Sequence, residues 1–64
     1  MADIKYKSGI IRVQKSEYKG YEFVDVRRFY QDEESGEYKP TKKGIALPLD
    51  VAVEVAGAIT EALK

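Results

Sequence analysis

Apolar and polar residues alternate over most of the chain and then change period near Pro48. The stretch 3–7, "DIKYK", alternates as a half-buried strand does and ends at Ser8-Gly9, a turn-forming pair. In "IIRVQKSEY", 10–18, Ile11 and Val13 share one face while Arg12 and Gln14 share the other. Lys19-Gly20 predicts the next turn. The longest strand follows at 21–31, "YEFVDVRRFYQ". There Val24, Val26, Arg28 and Tyr30 lie on one side, with Phe23, Asp25, Arg27 and Phe29 on the other. Both sides are mixed, so alternation alone names neither as the solvent face, and a bulge is able to re-aim the strand end. "QDEESGEYKP", 31–40, reads as an acidic loop around Ser35-Gly36. Pro40 cannot donate to a ladder and belongs to that loop or to a sheet edge. "KKGIAL", 42–47, is the fourth strand.

From Pro48 onward the period becomes helical. Proline is tolerated at a first turn, where its missing N–H has no partner to lose. Asp50 near the start and Lys64 at the end complement the helix dipole. Val51, Val55, Ala58 and Ala62 fall on one side, with Leu49, Ala52, Ala56, Ile59 and Leu63 beside them. That band is wider than one small sheet covers. Gly57 costs about 1 kcal/mol against alanine in a helix interior. It is either tolerated or marks close approach of a symmetry-related helix. Phe23, Val24, Val26, Ile45 and Leu47 are the expected core.

Size sharpens the question of what covers that band. At 64 residues the chain is one domain, 1–64. A chain this short buries only about 60% of its unfolded surface. Such a core rarely supplies more than about 3–5 kcal/mol. With no cysteine and no histidine, disulfides and thiolate or imidazole metal sites are excluded, and no cofactor is expected. Self-association is the remaining source of burial. No apolar run reaches the length of a membrane span, and no signal peptide opens the chain. The expected location is the cytoplasm or nucleoid of a bacterium or phage host, or the nucleus of a eukaryote.

The formal charge is zero, yet residues 1–30 carry seven basic and four acidic side chains. Asp32, Glu33, Glu34 and Glu37 then form an acidic cluster, and Lys39, Lys42 and Lys43 restore positive charge. Fields follow this distribution rather than the total. A polyanionic partner therefore remains open, provided its binding surface is local.

The combination Tyr18-Lys19-Gly20, Val24-Asp25-Val26-Arg27, Phe29-Tyr30, Gly36-Glu37, Lys39-Pro40 and Lys43-Gly44-Ile45 resembles the positive cofactor 4 family of transcriptional coactivators, in its single-stranded-DNA-binding domain. The likeness covers nearly the whole chain. It implies an α+β fold: a four-stranded antiparallel curved sheet followed by one C-terminal helix (ββββα), forming a homodimer through helix and sheet. It also implies two strand-lined grooves holding single strands in opposite directions. The regulatory serine-rich segment of eukaryotic members is missing here, which points to a bacterial or phage relative. This chain departs from the pattern at Tyr30, often tryptophan, at Thr41, often glycine, and at Tyr21, basic in some members. Arg28 stands where the family often has glutamate, and so inherits no role.

Single strands are held by cations along the phosphates and by rings stacked on unpaired bases. The resemblance assigns stacking to Tyr18 and Tyr30, which otherwise read as sheet residues with wet hydroxyls. Lys39 and Lys43 match its phosphate contacts, and Lys42 lies between them; a lysine cluster alone is also what a solvated sheet edge uses against aggregation. Arg27 matches the family arginine, with an ion pair to Asp25 across neighbouring strands as the plainer reading. Lys19, Arg12 and Lys15 are further candidates.

Enzymatic chemistry is the least supported class: no serine sits beside a recognisable base, and no nucleotide loop or metal carboxylate pair is present. The expected function is non-sequence-specific single-stranded DNA binding, with the transcription machinery as a further partner. The alternatives are a single-stranded RNA binder and a dimeric protein-interaction adaptor.

Overall fold

A computed structural model describes residues 1–64. Four strands, β1 (Ala2–Tyr6), β2 (Gly9–Tyr18), β3 (Tyr21–Gln31) and β4 (Tyr38–Pro48), precede one helix, α1 (Leu49–Ala62). The strands form one antiparallel sheet in chain order, β1-β2-β3-β4. The expected ββββα architecture is therefore present. The molecule is a slab of 38 × 37 × 18 Å, one curved sheet with one helix against it.

Local chemistry explains the turns. Lys19 and Gly20 both have positive φ, at 51° and 84°. Two such residues between paired strands make the tight hairpin turn whose twist matches that of the strands. The first hairpin turns at Lys7-Ser8 rather than at Ser8-Gly9, because Gly9 already pairs with Tyr6 and Tyr30. A Cβ on Gly9 would overlap the Phe29 carbonyl oxygen, so only glycine lets β2 and β3 close there.

β4 differs most from expectation. It begins at Tyr38 and contains Pro40, opposite Phe29. An edge strand accommodates a proline because its outer side needs no donor, and the acidic loop shrinks accordingly to 32–37. The register shifts between Arg27 and Phe29: Arg27 faces Gly44 and Phe29 faces Pro40. Arg28 alone thus stands against Thr41, Lys42 and Lys43. The expected bulge falls here, with its extra residues in β4 instead of β3.

Register also separates the faces. Ile4, Ile11, Val13, Val24, Val26 and Leu47 lie toward α1, together bounding an apolar trough of about 590 Å³ with Leu49, Ala52, Val53, Val55, Ala56 and Ile59. Burial within this single chain is slight. Only four of 64 residues are buried, among them Ile10, Phe29 and Leu47. Of the expected core, Leu47 is buried and Phe23, Val24 and Val26 are half-buried, but Ile45 is 55% exposed. The reason is that the helix covers only part of the sheet. On the helix itself Val53 is 74% exposed and Leu63 83%. Nothing approaches Gly57 from within the chain.

Candidate nucleic-acid interface

Two regions of the sheet carry the candidate side chains, and they lie at opposite ends of β3. The first is the β2–β3 hairpin tip. Tyr18 pairs across the strands with Tyr21, so both rings project from one face, and both are exposed. The Lys19 ammonium lies 5.3 Å from the Tyr18 ring. Here one ring expected from the sequence, Tyr18, has a second beside it in Tyr21.

The second region is built by the bulge. The Thr41 hydroxyl donates to the Arg28 carbonyl at 2.7 Å and accepts from the Lys43 backbone N–H at 3.1 Å. The Thr41 side chain thus pins the extra residues of β4 against β3. The result is a cleft of about 340 Å³ whose lining includes Arg28, Tyr30, Thr41, Lys42 and Lys43, with no carboxylate. Neither lysine forms an ion pair. Tyr30 and Ser8 also border a second depression, lined by Asp32 and Glu33. Tyr30 therefore divides a cationic side from an acidic one.

Tyr18 and Tyr30 are not brought together within one chain. Tyr18 is level with Tyr21, and β3 rises about 3.3 Å per residue, which puts the two rings about 30 Å apart along the strand. Alternation also places them on opposite faces.

The remaining sequence candidates are engaged with carboxylates. Arg12 donates through Nε and Nη2 to Asp3 at 2.8 and 3.1 Å and packs 4.6 Å over the Phe29 ring. Hydrogen bonds from Arg12 hold the Asp3 carboxyl below its ordinary range, and Asp3 in turn raises the Arg12 pKa. Arg27 donates to Asp25 at 3.2 and 3.3 Å and, through Nη1, to the Thr41 carbonyl at 2.9 Å. Gly44 makes this possible: a Cβ there would meet Arg27 Cγ at 2.8 Å. Lys39 pairs with Asp32 at 2.7 Å, and this contact, with the Glu34 N–H behind it, lowers the Asp32 pKa. Lys15 pairs with Glu22 at 2.7 Å, which raises the Lys15 pKa.

Sequence reading missed the cleft's dependence on Thr41 and the position of Arg28. The signal for the first was Pro40 three residues before the end of a lysine run, where a disrupted edge strand is expected. No group of carboxylates converges to hold a metal. The helix is not long and apolar enough to cross a membrane.

The chain thus combines a small curved sheet and one helix with a ring-bearing hairpin and a cationic cleft that holds no carboxylate. The family described as Transcriptional Coactivator p15 (PC4) matches residues 5–56, and the chain belongs to it. It is a family of non-enzymatic DNA-binding proteins. Two solved structures are similar over the full length of this chain. Both are crystal forms of BPSL1147, a PC4 homolog from Burkholderia pseudomallei K96243. The tetragonal form is 28% identical, with a TM-score of 0.89 and 94% of that chain covered. The orthorhombic form is also 28% identical, with a TM-score of 0.91 and 86% covered. Among curated proteins, none matches the chain.

Proposed function

We propose that this protein binds single-stranded DNA without sequence specificity, as a homodimer, in transcription or other DNA transactions that expose single strands in a bacterial cytoplasm or nucleoid. The observation that carries this reading is the cleft in which Lys42 and Lys43, free of carboxylates, adjoin the exposed ring of Tyr30. Lysines take the phosphates, and the ring takes an unpaired base. A duplex keeps its bases stacked on one another and cannot offer them to Tyr30.

The dimer is supported by the trough between sheet and helix. All twelve residues lining it are apolar, and a chain with four buried residues has too little core to stand alone. A second copy across the trough removes this surface from water and brings another α1 toward Gly57. Tyr18, Lys19 and Tyr21, at the hairpin tip and on the face away from the trough, are a second candidate contact for the strand.

Lys15 and Lys39 stand in exposed ion pairs, 62% and 46% accessible. Such pairs exchange partners at little cost, so both lysines join the path when a phosphate arrives. Arg12 and Arg27, fixed by two-pronged hydrogen bonds, hold the sheet on its other face.

Fluorescence anisotropy of labelled oligothymidine, titrated over a salt series beside a duplex of equal length, tests the reading. The expected result is preference for the single strand and affinity that falls steeply with salt. Equal, weak binding of both would favour an adaptor for acidic proteins and overturn it. Competition with matched RNA assigns the sugar, because stacking and phosphate contacts ignore the 2′-hydroxyl.

A further inference from the structure

We propose that Arg28 is a third phosphate-binding cation of the bulge cleft, held there by the ring of Tyr6. The inference rests on the reading that the cleft takes a nucleic-acid strand. It begins from a contrast between two consecutive arginines. Arg27 directs its guanidinium to Asp25 and the Thr41 carbonyl. Arg28 projects the other way, forms no ion pair and donates no side-chain hydrogen bond within the chain. Its unused donors reach solvent, since no buried side-chain nitrogen lacks a partner. The guanidinium carbon lies 5.1 Å from the centre of the Tyr6 ring, a cation–π distance that limits where the group can swing.

The bulge sets Arg28 opposite Thr41, Lys42 and Lys43, and the Thr41 hydroxyl on its carbonyl keeps the strands in that relation. Three cations thus line one cleft with no counter-charge among its walls. Gathering like charges is unfavourable until an anion arrives, and their summed field favours an anion at that place. A guanidinium adds what lysine lacks, a planar fork of donors matched to two phosphate oxygens.

Oligothymidine is the probe, because it contains no guanine for an arginine to read. Binding is followed over a salt series for wild type, Arg28→Gln, Arg28→Lys and Tyr6→Leu, with Lys42→Gln/Lys43→Gln as reference. Removing one phosphate contact should reduce the slope of log K against log salt by about 0.7. Arg28→Gln should show that loss, and Arg28→Lys should restore most of the slope. Tyr6→Leu should weaken binding with the slope retained, as expected for a residue acting through Arg28. In the unmutated protein, the Arg28 Nε–H NMR resonance should shift and exchange more slowly when oligothymidine is added, a readout that does not depend on any variant folding. A wild-type slope in Arg28→Gln, or an unmoved Nε–H resonance, overturns the inference while the double lysine variant still tests the cleft. Absence of single-strand preference in the wild-type protein overturns the functional reading and this inference together.

Discussion

On one face of the sheet Arg12 and Arg27 each close a two-pronged pair with an aspartate, whereas in the bulge cleft Lys42 and Lys43 meet no carboxylate. The difference arises from strand geometry. Asp25 and Arg27 are two apart on one strand and so share a face, and Asp3 and Arg12 are direct partners across β1 and β2. Alternation thus pairs both arginines of that face from within. In the cleft, the bulge breaks alternation and turns two consecutive lysines to one place. A chain of zero formal charge therefore presents a face with its arginines paired and an uncompensated cationic end, which is what a local binder of polyanions requires.

The largest expected effect concerns what lies between those regions. Val53→Asp puts a charge into the trough, at a site 74% exposed in the single chain. If a second copy covers it, the change costs several kcal/mol per ion buried. Sedimentation velocity and circular dichroism at micromolar concentration should then report loss of the dimer and of most folded signal. A chain that uses only its own fold would tolerate an exposed aspartate there, and the wild-type melting temperature would not depend on concentration.

Next comes the contrast between the cationic regions themselves. Lys42→Gln with Lys43→Gln should reduce the salt slope of single-strand binding by about 1.4, two contacts at about 0.7 each. Arg12→Gln with Arg27→Gln removes the same formal charge but should leave that slope nearly unchanged. Equal loss from both pairs would mean that net charge, rather than its local pairing, governs binding.

Particular residues show why much of this was legible and some was not. Alternation in 10–18 and 21–31 identified β2 and β3, because each has a period of two over a long run. It could not tell the faces apart, since Val24 and Val26 alternate with Asp25 and Arg27, and which side meets α1 depends on pairing between distant strands. The ion pair of Arg27 with Asp25 was expected across neighbouring strands, but it forms within β3, where the two residues share a face. Arg28 was given no role because the resembling family often has glutamate there, and its place in the cleft depends on a two-residue insertion in another strand. Ile45 was read as core from its hydrophobicity alone, yet the area that would cover it is absent from a single chain. The family resemblance supplied Tyr18 and Tyr30 as a pair, but not the separation of about 30 Å between them within one chain.

Smaller again is the effect of the ring beside the cleft. Tyr30→Ala should weaken oligothymidine binding by about 1–3 kcal/mol, the range for one stacked base, with the salt slope kept. That signature differs from the lysine variants, which change the slope. Tyr18→Ala should behave like Tyr30→Ala if the hairpin tip belongs to the same path. An unaffected Tyr18→Ala would confine the site to the cleft.

The smallest expected effect separates charge from packing on the face of the paired arginines. Asp3 has its pKa lowered, first through hydrogen bonds from Arg12. A carboxyl whose folded pKa is depressed contributes stability that is fully present above its ordinary value and disappears as pH falls through the folded one. Arg12 stays charged throughout, its own pKa being raised. The difference in melting temperature between wild type and Arg12→Gln should therefore hold constant from neutral pH down to the usual carboxylate range, 3.8 for aspartate, and narrow below it. Part of the difference should survive acid, because Arg12 also lies 4.6 Å over Phe29, a contact that protonating Asp3 does not remove. If the whole difference survives, Arg12 holds the sheet by packing on that ring and the ion pair with Asp3 adds nothing. If none does, that face is held by charge alone.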